Sequence, residues 1–283
     1  MAPNPPSRGP LTAEAVKTVA SSQPSLNIDS AVPSWEFAAL TDTGRIRANN
    51  EDAIAFDASL GLAILADGMG GYNGGEVASG MAIALLQASF GRWLAHAGPQ
   101  ANGRSIRRAL QNGVDEANLA ILEAGVANSQ LQGMGTTLVL AVFGTDRVVV
   151  GHIGDSRCYR LRGETLELLT RDHSLLQEQL DSGALTPAQA AISPHRNLVT
   201  RALGIERQVS LEMHEHEFLE GDVFLLCSDG LSEMVSSEHI CTILLQKLAL
   251  SQKATLLVSH ANDNGGRDNI SVVLARAGDL FSA

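Results

Sequence analysis

Four aspartates in this sequence stand beside glycine or at the edge of an apolar run, and their chemistry suits a cation: Asp67, Asp155, Asp229 and Asp268. Asp67 and Asp229 each follow an apolar run and precede a glycine, so each is predicted in a turn at the end of a buried strand. Carboxylates, backbone carbonyls and water are the ligands that Mg²⁺ and Mn²⁺ prefer. One Asp-Gly pair is usually an ordinary turn, but four such aspartates beside apolar runs favour a metal site.

Further charged residues extend this acidic set. Glu51 and Asp52 add two acids just before a predicted strand at residues 53–57, and Arg47 lies a few residues upstream. An arginine offers a planar fork that can pair with two phosphate oxygens. Zn²⁺ would be expected to recruit cysteine or histidine, and these motifs contain neither. The acids therefore predict a site for Mg²⁺ or Mn²⁺.

Composition limits the classes of protein to consider. The chain has 283 residues, 45% of them hydrophobic, and a formal net charge of −11. This is enough apolar material for a sizeable core, and the acidic balance argues against nucleic acid and anionic membranes as partners. No run approaches the roughly 18 apolar residues of a membrane span, and the first residues lack the apolar segment of a secretory signal.

The cysteines indicate a compartment. Cys158, Cys227 and Cys241 are odd in number and widely spaced. They predict no disulfide framework and fit a reducing cytoplasm. Cys227 lies in an apolar run, which favours core packing over a nucleophilic role. We therefore expect a cytoplasmic protein, and we expect it to be a monomer.

The acids must be positioned by a folded domain, which we predict over residues 35–283. Residues 1–34 are rich in Pro, Ser, Ala and Asn and are predicted to be a flexible extension, with one short helix near residues 11–20. Apolar residues recur at helical spacing over 76–94 and 105–124. Strands at both ends of the domain bracket the helix pairs, which predicts an α+β fold of mostly antiparallel sheets covered by helices.

The middle of the chain changes its period. Four short apolar or β-branched runs between residues 136 and 169 are separated by glycine-containing turns, a pattern typical of an antiparallel meander. Residues 171–203 are more polar and are predicted to pass over the surface. Within them, Thr186, Pro187 and Gln189 predict a capped helix start. Strands and two helices are expected to follow before a last strand at 270–275.

Six motifs in order carry a resemblance to a known family. They are Arg47-x-x-Asn50-Glu51-Asp52, Asp67-Gly68-Met69-Gly70-Gly71, Gly133-Met134-Gly135-Thr136-Thr137, Gly154-Asp155-Ser156-Arg157, Ser228-Asp229-Gly230-Leu231 and Arg267-Asp268-Asn269. This set resembles that of the metal-dependent PP2C-type (PPM) serine/threonine protein phosphatases, over about residues 41–274. The form of the second motif and the short chain resemble the bacterial branch of that family.

The resemblance implies a four-layer α-β-β-α sandwich, with residues 171–203 as a flap beside the site. It implies two core Mn²⁺ or Mg²⁺ ions and a third, weaker one. The implied ligands fall into sets: Asp67 for both core ions, Asp229 and Asp268 for the first, the Gly68 carbonyl with waters held by Glu51 or Asp52 for the second, and Asp155 with Asp229 for the third. Arg47 is implied to bind the substrate phosphate, and the catalytic residues are Arg47, Asp67 and Asp229.

The implied reaction hydrolyses phosphoserine or phosphothreonine by direct attack of a water bridging the two ions. The leaving alkoxide then needs a proton. Many members of the family carry a histidine where this chain has Met69, which cannot donate one. We expect a metal-bound water to serve. His152, His173 and His195 remain alternatives, each better explained as structural or exposed.

Three functions are compatible with these residues. The leading hypothesis is a phosphatase that acts on phosphorylated proteins and opposes a bacterial Ser/Thr kinase. The second is a catalytically silent relative that binds phosphoproteins, which loss of an aspartate ligand would favour; none of the four is missing. The third is another two-metal hydrolase, such as a nuclease, against which the acidic charge balance counts.

Overall fold

The computed structural model describes residues 17–19, 34–71, 73–97, 101–190, 193 and 198–278. Within these ranges the strands are β1 (Lys17–Val19), β2 (Trp35–Asp42), β3 (Asp52–Asp57), β4 (Leu62–Met69), β5 (Gly135–Thr136), β6 (Leu138–Phe143), β7 (Arg147–Ile153), β8 (Arg157–Arg162), β9 (Thr165–Leu168), β10 (Glu212–Glu217), β11 (Val223–Cys227) and β12 (Ile270–Ala277). The helices are α1 (Gly74–Ala97), α2 (Gly103–Ala127), α3 (Leu175–Asp181), α4 (Pro187–Ala190), α5 (Asp229–Ser232), α6 (Ser237–Leu244) and α7 (Leu250–Asp263).

The strands form two antiparallel sheets. The first sheet has the order β1-β2-β12-β11-β8-β9, and the second sheet has the order β10-β7-β6-β4-β3, with the short β5 added beside β4. β6 and β11 are buried along their whole length, which explains why both are continuous apolar runs rather than alternating ones. Each sheet is therefore covered on both faces.

Three groups of buried side chains fill the spaces between the layers. One group, including Phe37, Leu65 and Phe224, lies between the two sheets. A second joins α1 and α2 to the outer face of the second sheet, and a third joins α6 and α7 to the outer face of the first sheet. The order of layers is helix, sheet, sheet, helix, so the predicted four-layer α+β sandwich is confirmed. Cys227 is fully buried in the third group, as its apolar surroundings predicted.

The predicted meander over residues 136–169 does not lie in one sheet. β6 and β7 pair in the second sheet, whereas β8 and β9 pair in the first. The chain crosses between the sheets at the Gly154-Asp155-Ser156 turn, where Gly154 has a φ of +102° that favours glycine. Apolar strands of this length carry no information about which of two sheets they join, which is why the pattern could not predict the crossing.

Neither Asp-Gly pair forms the turn that its sequence predicts. Asp67 lies within β4, which continues to Met69, and Asp229 is the first residue of α5. The glycines serve close packing instead. A Cβ on Gly68 would lie 2.1 Å from the carbonyl oxygen of Gly75, and a Cβ on Gly230 would lie 2.0 Å from that of Asn269. Any side chain at either position would push two backbone segments apart.

Residues 17–19 correct part of the prediction for residues 1–34, which expected a flexible extension with a helix near 11–20. Lys17–Val19 forms a strand that pairs antiparallel with β2. Without β1, the β2 edge would present unpaired backbone groups, and a short β-branched segment can satisfy them. The other residues of 1–33 lie outside the described part of the chain.

Within residues 171–203, the parts described are 171–190, 193 and 198–203, and they carry α3 and α4. The predicted capped helix start is confirmed at α4. The backbone N–H of Gln189 donates to the Thr186 hydroxyl, and the Gln189 side chain accepts from the Thr186 N–H. Ser174 and Val199 form a bridge that joins the two ends of the excursion. Among the helices of the described ranges, none has the length and apolarity needed to cross a bilayer.

Candidate metal and phosphate site

The two sheets bring the predicted acids together at one end of the sandwich. Asp52 and Asp67 face each other across β3 and β4 of the second sheet. Asp229 follows β11 and Asp268 precedes β12, and these two strands are neighbours in the first sheet. The Ser228 hydroxyl donates to Oδ2 of Asp52 over 2.9 Å and so joins the two sheets at this end. Acids from four separate segments therefore converge.

The backbone of Asp67 is fixed by two threonines of the neighbouring β5–β6 segment. Its N–H donates to the Thr137 hydroxyl at 3.1 Å, and its carbonyl accepts from the Thr137 N–H at 2.8 Å. The Thr136 hydroxyl also donates to that carbonyl. These bonds occupy the main chain of Asp67 and leave its carboxylate for a ligand.

Asn269 is a functional residue whose role the sequence reasoning missed. Its side-chain N–H groups donate to the carbonyls of Thr43 and Asn49, and its side-chain oxygen accepts the N–H of Glu51. One buried amide thus holds the loop that carries Arg47. The signal was present in the Arg-Asp-Asn motif, but the partners lie more than 200 residues away in sequence, so no local pattern could identify them.

Glu51 sits where two glycines allow a close approach. Its carbonyl accepts from the Gly68 N–H and from the Ser79 hydroxyl. A Cβ on Gly75 would lie 2.8 Å from the Glu51 carboxylate, so glycine there makes room for the acid. Burial raises the pKa of Glu51, and the charges of Asp268 and Glu76 raise it further against the opposing effect of Arg47. Glu76, whose charge acts on Glu51, was not predicted from the sequence as part of this site.

Arg47 lies beside one of the acids. Its guanidinium Nη2 donates to Oδ2 of Asp268 over 2.6 Å, and 52% of its side chain is exposed. This hydrogen bond to Asp268 raises the pKa of Arg47, so the side chain is a permanent cation. The remaining donors of the fork are open to a phosphate that approaches from solvent.

The buried aspartates of this cluster repel one another, and bound cations would offset their negative charge. Burial raises the pKa of Asp52 to about 6 and raises the pKa values of Asp67 and Asp229 well above their usual range. For Asp67 the charges of Asp52 and Asp229 add to the effect of burial. Oδ1 of Asp52 is buried without a hydrogen-bond partner among the described residues. Crowded carboxylates with an unpartnered oxygen fit hard divalent ions such as Mg²⁺ or Mn²⁺.

Asp155 joins this cluster from the crossing between the sheets. It is 8% exposed, and burial followed by the charge of Asp172 raises its pKa to about 6. After burial, the charge of Asp155 is the largest cause of the raised pKa of Asp229. Glu233 raises the pKa of both acids. Sequence reasoning missed Glu233, although it follows Asp229 by four residues and α5 places such positions on one face.

Two of the three histidines considered as proton donors stack against each other. His152 and His173 are buried, and their rings stack with centroids 4.6 Å apart. Nε2 of His152 bonds the Arg171 carbonyl, and Nε2 of His173 bonds Glu212. These contacts agree with a structural role for both rings. His195 lies outside the described residues, and Met69 in β4 offers no proton.

Known proteins resemble this chain in sequence and in fold. The family model described as protein phosphatase 2C matches residues 45–274. A serine/threonine phosphatase of Listeria monocytogenes is 40% identical over 237 residues, covering 83% of this chain and 92% of the relative. The crystal structure of the Mycobacterium tuberculosis serine/threonine phosphatase PstP/Ppp superposes with a TM-score of 0.78 at 39% identity, covering 87% of this chain and 99% of that one.

A further solved structure bears on the metal. It is the catalytic domain of the serine/threonine protein phosphatase PstP in complex with two manganese ions, with a TM-score of 0.75 at 39% identity, covering 87% of this chain and 99% of that one. The two-sheet sandwich is the fold of the PP2C-type phosphatases. The chain belongs to the protein phosphatase 2C family, and it is a protein-serine/threonine phosphatase whose substrates are phosphoproteins.

Proposed function

We propose that this protein hydrolyses phosphoserine and phosphothreonine by direct attack of water at a centre of two Mn²⁺ or Mg²⁺ ions, and that it thereby opposes a Ser/Thr kinase. The observation that carries the proposal is the convergence of Asp52, Asp67, Asp229 and Asp268, with burial and mutual repulsion raising the pKa of Asp67. Such a cluster is costly without cations, and Arg47 beside it supplies a phosphate partner.

The ligand atoms divide into sets. In this proposal they are Asp67 for both core ions, Asp229 and Asp268 for the first, the Gly68 carbonyl with waters held by Glu51 or Asp52 for the second, and Asp155 with Asp229 for a third. When bound, the core ions supply an activated water as nucleophile and offset charge on the phosphate. Because water is the nucleophile in this proposal, no protein nucleophile is required and no covalent phospho-enzyme is expected.

The residues around the ions orient the substrate. Arg47 binds phosphate oxygens with the donors that Asp268 leaves open and neutralises charge that develops on them. Asn269 holds the loop of Arg47 at a fixed distance from the acids. Met69 cannot protonate the leaving alkoxide, so in this proposal a water molecule would supply that proton in its place.

The test is a metal-stripped preparation assayed on a phosphothreonine peptide with and without added Mn²⁺. Activity should depend on Mn²⁺, and Asp229→Asn should remove nearly all of it. Asp263→Asn is a control with the same charge change, since Asp263 is exposed at the end of α7. Equal activity with and without Mn²⁺, or equal loss in both variants, would reject the proposal.

A catalytically silent phosphoprotein binder is the alternative function. No observation on the described residues favours it, because each predicted acid is present and converges. The same peptide assay separates the two functions. A silent binder would retain the phosphopeptide under Mn²⁺ at stoichiometric amounts without releasing inorganic phosphate.

Three further points belong to the proposal. Residues 35–283 act as one catalytic domain, with residues 171–203 as a flap that affects the choice of protein substrate. The protein works as a monomer in the cytoplasm. Its partners are a Ser/Thr kinase and the phosphorylated substrates of that kinase. Deleting residues 1–16 should leave peptide turnover unchanged, and gel filtration should give a monomer.

A further inference from the structure

One histidine clamps the turn that presents Asp155. The backbone N–H of His173 donates to the Gly154 carbonyl at 2.8 Å, and the Gly154 N–H donates back to Nδ1 of His173 at 3.2 Å. Both polar groups of the residue just before Asp155 are thus held by a single residue. His173 is 7% exposed, so solvent does not compete for these bonds.

The turn is also fixed from the side of the active site. Gly154 has a φ of +102°, and a Cβ there would lie 2.7 Å from the side chain of Thr137. The Thr137 hydroxyl contacts the Ser156 hydroxyl at 2.7 Å and accepts the Asp67 N–H. The residues on both sides of Asp155 are therefore held. Ser156 is bonded to Thr137, which also bonds Asp67, and Gly154 is bonded to His173.

The hydrogen bonds define the tautomer of His173. Because Nδ1 accepts the Gly154 N–H, the ring proton must lie on Nε2, which donates to Oε2 of Glu212 at 3.1 Å. His214 contacts the other oxygen of Glu212 at 3.0 Å. Burial disfavours the Glu212 anion, but the bonds from His214 and His173 prevail and lower its pKa to about 2. A permanent carboxylate thus keeps the ring in the tautomer that the clamp needs.

A metal ion is the competing explanation for this cluster. One ligand atom from each of His152, His173 and Glu212 lies within 4.8 Å of the others. However, Nδ1 of His173 is an acceptor and its Nε2 carries a proton, so neither nitrogen has a free lone pair to offer. Nε2 of His152 is bonded to the Arg171 carbonyl. The cluster is a hydrogen-bonded network.

We propose that His173 is a positioning residue that holds Asp155 beside Asp229 for the weak third ion, and that Glu212 maintains the tautomer required for this. The inference rests on the third ion of the proposed function. His173 reaches no phosphate and no core ligand directly, so it acts through Gly154. The backbone carbonyl of His173 also accepts the Thr200 N–H. The clamp therefore lies where both ends of the flap meet the sandwich.

Two substitutions separate the roles of the two ring nitrogens of His173. In His173→Asn, the amide oxygen stands where Nδ1 stood and can still accept the Gly154 N–H. In His173→Gln, the amide reaches the position of Nε2 and Glu212 but leaves the Gly154 N–H without its acceptor. We expect His173→Gln to weaken the third Mn²⁺ by about tenfold, the size typical when the partner of a metal ligand is lost. His173→Asn should retain most of that affinity.

Mn²⁺ binding is measured in a titration in which electron paramagnetic resonance reports the concentration of free Mn²⁺. Asp155→Asn is the reference for loss of the third ion. The two tight ions should change little in either His173 variant, which a merely structural role would not predict. The melting temperature should fall in His173→Gln, because the buried Gly154 N–H loses its acceptor, and should fall less in His173→Asn. Glu212→Leu is a further variant, since the Glu212 side chain is 37% exposed and its loss should be tolerated. It should weaken the third ion in the same direction as His173→Gln.

The outcomes are distinct. Equal third-ion affinity in wild type, His173→Gln and Glu212→Leu would overturn the inference, as would a wild type that binds only two ions. Peptide hydrolysis with Mn²⁺ on the same samples shows separately whether the proposed function holds. If turnover depends on Mn²⁺ but the affinity for the third ion is unaltered in His173→Gln and Glu212→Leu, the positioning role of His173 is rejected and the phosphatase mechanism is retained.

Discussion

Arg47 is the residue at which phosphate recognition can be separated from metal binding. Its guanidinium is half exposed and bonded to Asp268 by one donor, so its other donors are free to bind phosphate. Arg47→Ala should lower kcat/KM on a phosphothreonine peptide by about 10²-fold, the range found when a donor to developing charge is removed. Mn²⁺ affinity should change little, because Arg47 is not a ligand.

Two comparisons sharpen this experiment. Arg47→Lys keeps the charge but loses the fork, and it should fall between wild type and alanine. Arg92→Ala on α1, where the side chain is 65% exposed, is the control for loss of a surface arginine. Wild-type kinetics for Arg47→Ala would remove this residue from the site.

Asn269 tests how the active-site loop is held. In Asn269→Asp the two donated bonds to Thr43 and Asn49 are replaced by repulsion between oxygens. Asn269 is buried, and each of these bonds lost there costs about 1–3 kcal/mol, so we expect the free energy of unfolding to fall by about 3 kcal/mol. Urea denaturation measures the loss. Asn264→Asp, at an exposed site with one bond to the Met234 carbonyl, should cost far less, and equal losses would contradict the role of Asn269.

For single residues, the sequence indicated which side chains could bind a metal but did not indicate their hydrogen-bond partners. The acids that converge were recognisable, because carboxylates beside apolar runs are unusual in number and setting. Asn269 and Glu233 were not recognised as parts of the site. Their contacts are made across the fold, and a hydrogen bond between residues far apart in sequence leaves no local pattern.

The glycines after the two aspartates give a test at the scale of elements. β4 and the start of α1 approach so closely that a Cβ on Gly68 would lie 2.1 Å from the Gly75 carbonyl oxygen. Gly68→Ala must therefore separate strand from helix, and we expect a loss of about 3 kcal/mol or more together with loss of Mn²⁺ binding.

Gly80 within α1 is the matched control, because a Cβ there meets nothing within 4 Å. Gly80→Ala should stabilise the protein by about 0.5–1 kcal/mol, the usual difference between these residues inside a helix. Thermal unfolding of both variants measures the contrast. A Gly68→Ala protein as stable as wild type would show that the close approach is not required.

Elements were predicted more reliably than their connections. The helical spacing of α1 and α2 and the apolar strand runs agree with the structure, since local periodicity reports burial directly. Asp67 within β4 and Asp229 at the start of α5 were both predicted as turns, because Asp-Gly has the same local preference in either setting. Which backbone lies against the glycine is decided by the sandwich.

For the whole molecule, the sandwich concentrates negative charge where its two sheets meet. Asp52 and Asp67 come from one sheet, and Asp229 and Asp268 flank strands of the other. The α+β class followed from the order of elements, whereas the assignment of β8 and β9 to the first sheet did not. The site depends on that assignment, because it carries the Gly154-Asp155 turn from one sheet to the other.

This concentration of charge predicts how stability depends on pH and metal. The pKa values of Asp52 and Asp155 are about 6 in the fold against 3.8 ordinarily, and those of Asp67 and Asp229 are also raised. The folded protein without metal thus binds more protons than the unfolded chain, so stability should fall as pH rises from about 4 through 6 and beyond. His152 and His216 oppose this trend, because burial lowers the pKa of each.

In EDTA, the melting temperature should therefore be higher at pH 5.5 than at pH 8, by about 5 °C. Excess Mn²⁺ should reverse the order, because cations bind the ionised carboxylates of the folded state and are excluded by protons. Asp229→Asn should flatten both dependences, while the exposed Asp263→Asn should keep them. Identical melting temperatures at the two pH values in EDTA would mean that the acids do not repel one another, and the electrostatic reason for metal at this end of the sandwich would be lost.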